Sequence, residues 1–264
     1  GSRAEYGLLR RLIHLINDSN SFTLQLIATG AHLSQKFGET WREIEVDGFS
    51  INHKVDLALE SDTPLGLSQS TALGLKGFGE AFDLSHPDLV LVLGDRFEIL
   101  SAVVAAMFAR IPIAHLHGGE LTEGAIDEAI RHAITKFSHL HFVANEEYKK
   151  RVEQLGENPK TVFNVGGLGV DAIKNIDLLS QSELEDTLDI KFKNKNLLIT
   201  FHPVTLENNT SSVQTSELLD ALSDLNDTCL IFTMPNADAD NHIIFDLINH
   251  FIRKHKNAHV FTSL

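Results

Sequence analysis

A single cysteine, Cys229, is the only thiol in 264 residues. That excludes an internal disulfide framework and the usual multi-cysteine zinc sites. Its place in the apolar run Cys229-Leu230-Ile231-Phe232 points to a buried, inert thiol. Basic residues are also scarce: 22 Lys and Arg stand against 36 Asp and Glu, a formal charge of −14. A nucleic-acid surface requires the opposite balance, so nucleic acid is disfavoured as a partner, whereas a small phosphorylated ligand needs only a few local cations. No run approaches the roughly 20 apolar residues of a membrane span, and no signal-peptide pattern is visible. There is neither a Gly-x-Gly-x-x-Gly fingerprint nor a Walker A loop, which disfavours NAD and ATP as principal ligands. The expectation is a cytoplasmic enzyme without a cofactor or metal.

What is present is alternation. Short β-branched or Leu-rich runs interleave with helical patterns, as in parallel sheets joined by crossover helices. Strands are predicted over 24–29, 89–93, 113–116, 140–144 and 161–165, then over 196–200, 228–233 and 259–262. Helices are predicted over 97–109, 127–137 and 146–155. Gly166-Gly167-Leu168-Gly169 reads as a hinge, followed by a polar, helix-prone stretch over 171–192. Two domains result, 1–175 and 176–264. Both look cut: the opening turn Gly1-Ser2-Arg3-Ala4-Glu5-Tyr6-Gly7 has no strand before it, and about 80 residues are fewer than an α/β domain usually needs.

In open parallel sheets, ligands bind beyond the carboxyl ends of the strands. The predicted strands run into Gly30-Ala31-His32, Gly94-Asp95-Arg96, His117-Gly118-Gly119-Glu120, His202-Pro203 and Pro235-Asn236-Ala237-Asp238. Together they describe a cleft between two Rossmann-like sheets, suited to a ligand with a phosphate end and a sugar end. Singly, each has a plain structural alternative. Gly94-Asp95-Arg96 is either a tight turn or a carboxylate and a guanidinium placed for proton transfer and anion binding. Strand alternation sets His115 and His117 on one face, and paired glycines allow close backbone approach to a ligand. His-x-His near a Glu also matches a cupin metal set, but a cupin is an antiparallel barrel and this chain is α/β. Asp127 and Glu128 in the first turn of a helix are explained by its dipole alone. His202 is either a loop histidine or an acid–base group.

Several of these stretches resemble one family. Gly1 to Gly7, Thr29-Gly30-Ala31-His32-Leu33, Gly94-Asp95-Arg96-Phe97-Glu98, Gly118-Gly119-Glu120, Ile126-Asp127-Glu128-Ala129-Ile130-Arg131-His132-Ala133-Ile134-Thr135-Lys136, His202-Pro203-Val204-Thr205 and Pro235-Asn236-Ala237-Asp238 are similar to motifs of the hydrolysing UDP-N-acetylglucosamine 2-epimerases. The match runs in order along essentially the whole chain. It implies a GT-B-like fold, α/β with two Rossmann-like parallel-sheet domains about a cleft, the second incomplete here. It implies elimination of UDP to a 2-acetamidoglycal, then hydration with C2 inverted, in sialic or legionaminic acid synthesis, without a cofactor. Carried over by position, Asp95, Asp127 and His202 take acid–base or electrostatic roles, with His117 and Glu120 as a further pair. Arg3, His32, Arg96 and Asn236 contact substrate. His117 stands where many members have a catalytic Glu, which leaves the sugar (the N-acetylglucosamine or a bacillosamine derivative) and one acid–base group open. The resemblance places most uridine and diphosphate contacts in a Ser-rich loop that residues 1–264 do not contain. It also suggests a dimer or tetramer. A GT-B glycosyltransferase and a non-catalytic sugar-nucleotide-binding fragment are the competing readings.

Overall fold

A computed structural model describes residues 1–59, 61, 63–202, 210–233 and 241–261. Asn236, one of the expected substrate contacts, lies outside them. The chain forms two compact units, Gly1–Ile176 and Asp177–Leu264.

In the first unit, α1 (Arg3–Asn17) starts from a capping box in which Ser2 and Glu5 satisfy each other's backbone amides. Its apolar face buries Tyr6 and Ile13 against Ile44 of α2 (Trp41–Val46) and Phe49. β1 (Ile27–Thr29) and β2 (His53–Val55) pair in parallel as a sheet of their own. Then come α3 (Pro64–Ser85), β3 (Val90–Leu93), α4 (Phe97–Phe108), β4 (Ile113–Leu116), α5 (Ile126–Phe137), β5 (Leu140–Val143), α6 (Glu146–Gln154), β6 (Val162–Asn164) and α7 (Leu168–Asn175). β3 to β6 form a parallel sheet in chain order. β4 is buried at all four residues, as expected of a central parallel strand covered on both faces. The main core joins Val92 and Ile113 of the sheet to Phe78 and Phe82 of α3, Val103 and Ala106 of α4, and Ile134 of α5.

In the second unit, α8 (Gln181–Leu188) opens with a capping box from Ser180 and Glu183. It is followed by β7 (Lys195–Thr200), α9 (Ser211–Ser223), β8 (Thr228–Thr233), α10 (Asn241–Lys254) and β9 (Ala258–Phe261). The three strands are parallel, with β8 central and buried. Leu230 and Phe232 pack against α9 and α10. Cys229 and Ile231 point the opposite way, onto Ile190. Cys229 is a free, buried thiol whose pKa burial raises, as its apolar run suggests.

The predicted strands appear with boundaries shifted by no more than a few residues. The first unit, however, holds two sheets rather than one, and β2 and the 22-residue α3 carry no strong sequence pattern. Among the described residues no helix is long and apolar enough to cross a membrane.

One buried group makes the fold sensitive to acid. His115 on β4 has no exposed surface, and burial pulls its pKa down to about 4. In the unfolded chain a histidine titrates near 6.5. The unfolded state therefore gains protons below that pH that the folded state refuses until about 4, so the stability from neutral His115 is lost as pH falls through this window. Urea denaturation at pH 7 and pH 5 should show His115→Asn, though weaker at pH 7, losing about 2 kcal/mol less than the parent between the two pH values. Parallel pH dependences in the two proteins would refute it.

Candidate active site

The site is built on the carboxyl ends of β3 and β4. Gly94 turns the chain out of β3 with φ +84, a conformation that suits glycine. Its carbonyl accepts a hydrogen bond from His115 Nε2 at 2.9 Å. Its Nδ1 lies 3.2 Å from the Thr135 hydroxyl on α5, which itself donates to the Arg131 carbonyl at 3.0 Å. His115 is thus a fully buried strut joining β3, β4 and α5.

His117 has the opposite fate. The chain leaves β4 at Leu116, and His117 takes a left-handed φ of +64, sparse for any residue but glycine. The break in strand geometry removes it from the face that His115 occupies, correcting the shared-face expectation. His117 Nδ1 lies 2.7 Å from Glu120 Oε1, and the Leu168 amide at the start of α7 donates to Nε2 at 3.4 Å. An amide can only donate, so Nε2 is the acceptor and Nδ1 carries the proton toward Glu120. Backbone strain of this kind collects at functional sites.

The paired glycines serve packing. A Cβ on Gly118 would meet His115 Nδ1 at 3.1 Å and Thr135 Oγ1 at 3.2 Å. One on Gly119, at φ +80, would drive into the Tyr148 carbonyl of α6. The Gly119 carbonyl accepts from Arg151 of that helix. Ligand approach is not needed to explain either residue.

Asp95, just past Gly94, is gripped by Arg131 of α5. Arg131 is 5% exposed and also donates to Thr122 Oγ1 at 2.9 Å, with Glu128 Oε2 3.5 Å from its other terminal nitrogen. Burial lowers the basicity of this guanidinium, while the carboxylates of Asp95 and Glu128 beside it favour its charged form. Glu128 takes the Thr122 amide at 2.6 Å and contacts His132 Nε2 at 3.1 Å, tying the loop after β4 to α5. Asp127 lies in the first turn of α5, half-buried, four residues before Arg131. Asp95, His117, Glu120 and Asp127 therefore sit on two adjacent strand ends and the helix that follows. Arg131, Thr122 and Thr135 complete the arrangement. Sequence reasoning passed over Arg131, although its spacing of four from Asp127 is a same-face signal on a helix.

The other expected residues are placed differently. Arg96 pairs with Glu98 at 2.9 Å, both largely buried. Glu98 crowds Gly30, where a Cβ would lie 3.1 Å from its Oε1 at φ +62, which accounts for a glycine there. His32 is 3% exposed, bonded to Thr40 Oγ1 at 2.9 Å, and depressed to about 4 by burial. Arg3 holds Glu43 through Nε at 2.9 and 3.1 Å. His202 belongs to the second unit, two residues beyond β7, and is exposed. Among the described residues no group of three or more His, Cys, Asp or Glu is arranged to hold a metal ion.

Comparison with known proteins adds three findings. The family described as UDP-N-acetylglucosamine 2-epimerase matches residues 14–264. Over all 264 residues the chain is 44% identical to a GDP/UDP-N,N'-diacetylbacillosamine 2-epimerase (hydrolyzing) of Campylobacter jejuni, covering 68% of that protein. Over 252 residues, 96% of the chain and 66% of the relative, it is 36% identical to the UDP-N,N'-diacetylbacillosamine 2-epimerase (hydrolyzing) of Legionella pneumophila. The chain thus spans about two thirds of the length of these relatives. A crystal structure of UDP-GlcNAc 2-epimerase from Neisseria meningitidis bound to UDP-GlcNAc superposes with a TM-score of 0.79 at 17% identity, covering 100% of this chain and 71% of that one. That likeness shows the fold, which is GT-B-like.

The hydrogen bonds of His117 set its tautomer. Nitrogen-15 NMR of the side chain near pH 8 should find the proton on Nδ1 and a bare Nε2, and Glu120→Gln should weaken that preference. A proton on Nε2 in the parent protein would rule out the Leu168 contact.

Proposed function

The chain belongs to the UDP-N-acetylglucosamine 2-epimerase family, and we infer from that membership that its activity is hydrolysing 2-epimerisation. UDP leaves from a UDP-linked 2-acetamido sugar, and the free sugar emerges inverted at C2. The observation that carries this reading is 44% identity, along the whole chain, to a relative named as a hydrolyzing 2-epimerase. The gathering of Asp95, Asp127, His117 and Glu120 at two strand ends supports it, because the chemistry needs several proton-transfer groups and no redox partner.

In the elimination, a base takes the C2 proton, the C2–H electron pair forms the C1=C2 bond, and the C1–O pair departs with UDP. Water then adds across the double bond: hydroxyl to C1, proton to C2 from the opposite face. The C2 proton becomes acidic only as C1 gains positive charge, so base and leaving-group stabilisation must act together. Asp95, Asp127 and the His117–Glu120 pair are our candidates for moving protons. His202 is our candidate for stabilising the departing phosphate, by donating to its developing charge. Arg3, Arg96, His32 and Asn236 are proposed to contact or frame the substrate, the two buried among them, Arg96 and His32, through the loops they hold. The substrate is UDP-N-acetylglucosamine or its bacillosamine derivative, and the proposed setting is sialic or legionaminic acid synthesis by a cytoplasmic homo-oligomer. A glycosyltransferase would need no acid–base set directed at C2.

Incubation with each UDP sugar, with NMR detection of UDP and of the released 2-acetamido sugar, tests the reading. Release of UDP with an uninverted sugar, or transfer to an acceptor, would overturn it. Asp95→Asn and Asp127→Asn should each lower turnover by about 10²–10⁴-fold while sparing UDP binding. His202→Ala should abolish most UDP release yet melt within a few degrees of the parent. Near-normal kcat with a large fall in Tm would instead make His202 a structural residue.

A further inference from the structure

We propose that Arg131 is a positioning residue that keeps Asp95 a carboxylate, so that Asp95 enters the reaction without a proton and acts as an acceptor or a counter-charge. The proton that must be supplied then comes from Asp127 or the His117–Glu120 pair. The kinetic part of this inference rests on the hydrolysing 2-epimerase reading; the electrostatic part does not.

Among the described residues, Arg131 is the dominant charged neighbour of Asp95. Arg131 contacts its Oδ2 directly, from a buried position where water screens the pair weakly. The guanidinium is itself held in place, by Thr122 Oγ1 at 2.9 Å and by Glu128 at 3.5 Å. The other charged and titratable groups nearby are committed elsewhere. Arg96 is engaged by Glu98 at 2.9 Å, and Glu120 by His117 at 2.7 Å. His115, which touches the Gly94 carbonyl, stays neutral. Glu5 of α1 has its Oε1 3.5 Å from where a side chain on Gly94 would begin, and Ser2 binds its other oxygen at 2.6 Å. Glu5 and Glu128 oppose ionisation of Asp95, but neither shows a direct contact with it, whereas Arg131 does. An opposite charge at contact distance typically lowers a carboxyl pKa by about 1–3 units.

α5 therefore does two jobs from one face. Asp127 and Arg131 are four residues apart, so one rigid helix fixes both a candidate acid–base group and the ionisation of another. Two carboxylates close in space work as an acid–base pair only when their environments separate their proton affinities. Arg131 supplies that separation.

Carboxyl carbon-13 NMR of Asp95 in the full chain, titrated from pH 8 down to about pH 3, tests this directly. In the parent and in Arg131→Lys the Asp95 midpoint should lie below the ordinary aspartate value of about 3.9. In Arg131→Met it should rise by about 1–3 units. A parent midpoint at or above about 3.9, or a midpoint unchanged in Arg131→Met, overturns the proposal. Should Arg131→Met not fold, the parent titration alone still decides it. In UDP-release assays, the acidic limb of kcat should move up with the Asp95 midpoint in Arg131→Met and return toward the parent in Arg131→Lys. A purely structural arginine would lower Tm and kcat without moving that limb. If no UDP sugar is hydrolysed at all, the functional reading fails while the carboxyl titration still judges Arg131.

Discussion

The hydrogen bond from His115 to the Gly94 carbonyl holds together the part of the molecule where the candidate chemistry lies. Parallel pairing places the ends of β3 and β4 side by side, but it does not determine how the chain leaves them. A neutral imidazole with no exposed surface does so, donating to the β3 turn and lying 3.2 Å from the Thr135 hydroxyl of α5. The ring stays uncharged because desolvation outweighs what the Gly94 carbonyl would give a cation. Once α5 is tied to both strand ends, Arg131, one turn before Thr135, is in reach of Asp95.

Around this strut the residues divide by physical role. Gly118 and Gly119 allow the loop after β4 to lie against α5 and α6 without collision. His117, in strained backbone between them and β4, is aimed by Glu120 and by the first amide of α7. Glu128 saturates its oxygens on Thr122, Arg131 and His132 and works as a bracket. Asp95 and Asp127 differ from one another in their surroundings, the first clamped by a buried cation and the second in the first turn of a helix, where the dipole favours negative charge. Sites that run acid and base steps at one pH depend on such differences.

The alternation of apolar runs with helical periodicity determined the α/β class and most of the parallel strands, because burial on both faces leaves a continuous signal in a few residues. β4 is legible for this reason, and so are the polar residues that follow it, since the carboxyl end of a buried strand is where the chain must return to solvent. The family resemblance carried the reading from those residues to a hydrolysing 2-epimerase. Short or weakly patterned elements were not legible: β2 has three residues, and α3 is rich in glycine and small residues.

Other matters depended on contacts between residues distant in sequence. His115 and His117 are two apart and look equivalent, yet a single left-handed residue sends one into the core and leaves the other at the site. Arg96 adjoins Asp95, but the cation that grips Asp95 is Arg131, 36 residues away, because α5 crosses the strand ends and Glu98 captures Arg96. His32 and Arg3 are taken up by Thr40 and Glu43 for the same reason. Which group neutralises a charge, and which nitrogen of an imidazole holds its proton, follows from distances that only packing sets. The sequence by itself therefore determined the class of fold and the edge of the sheet at which chemistry is expected. The tertiary structure decided which partner each group there meets and kept the buried His115 ring neutral.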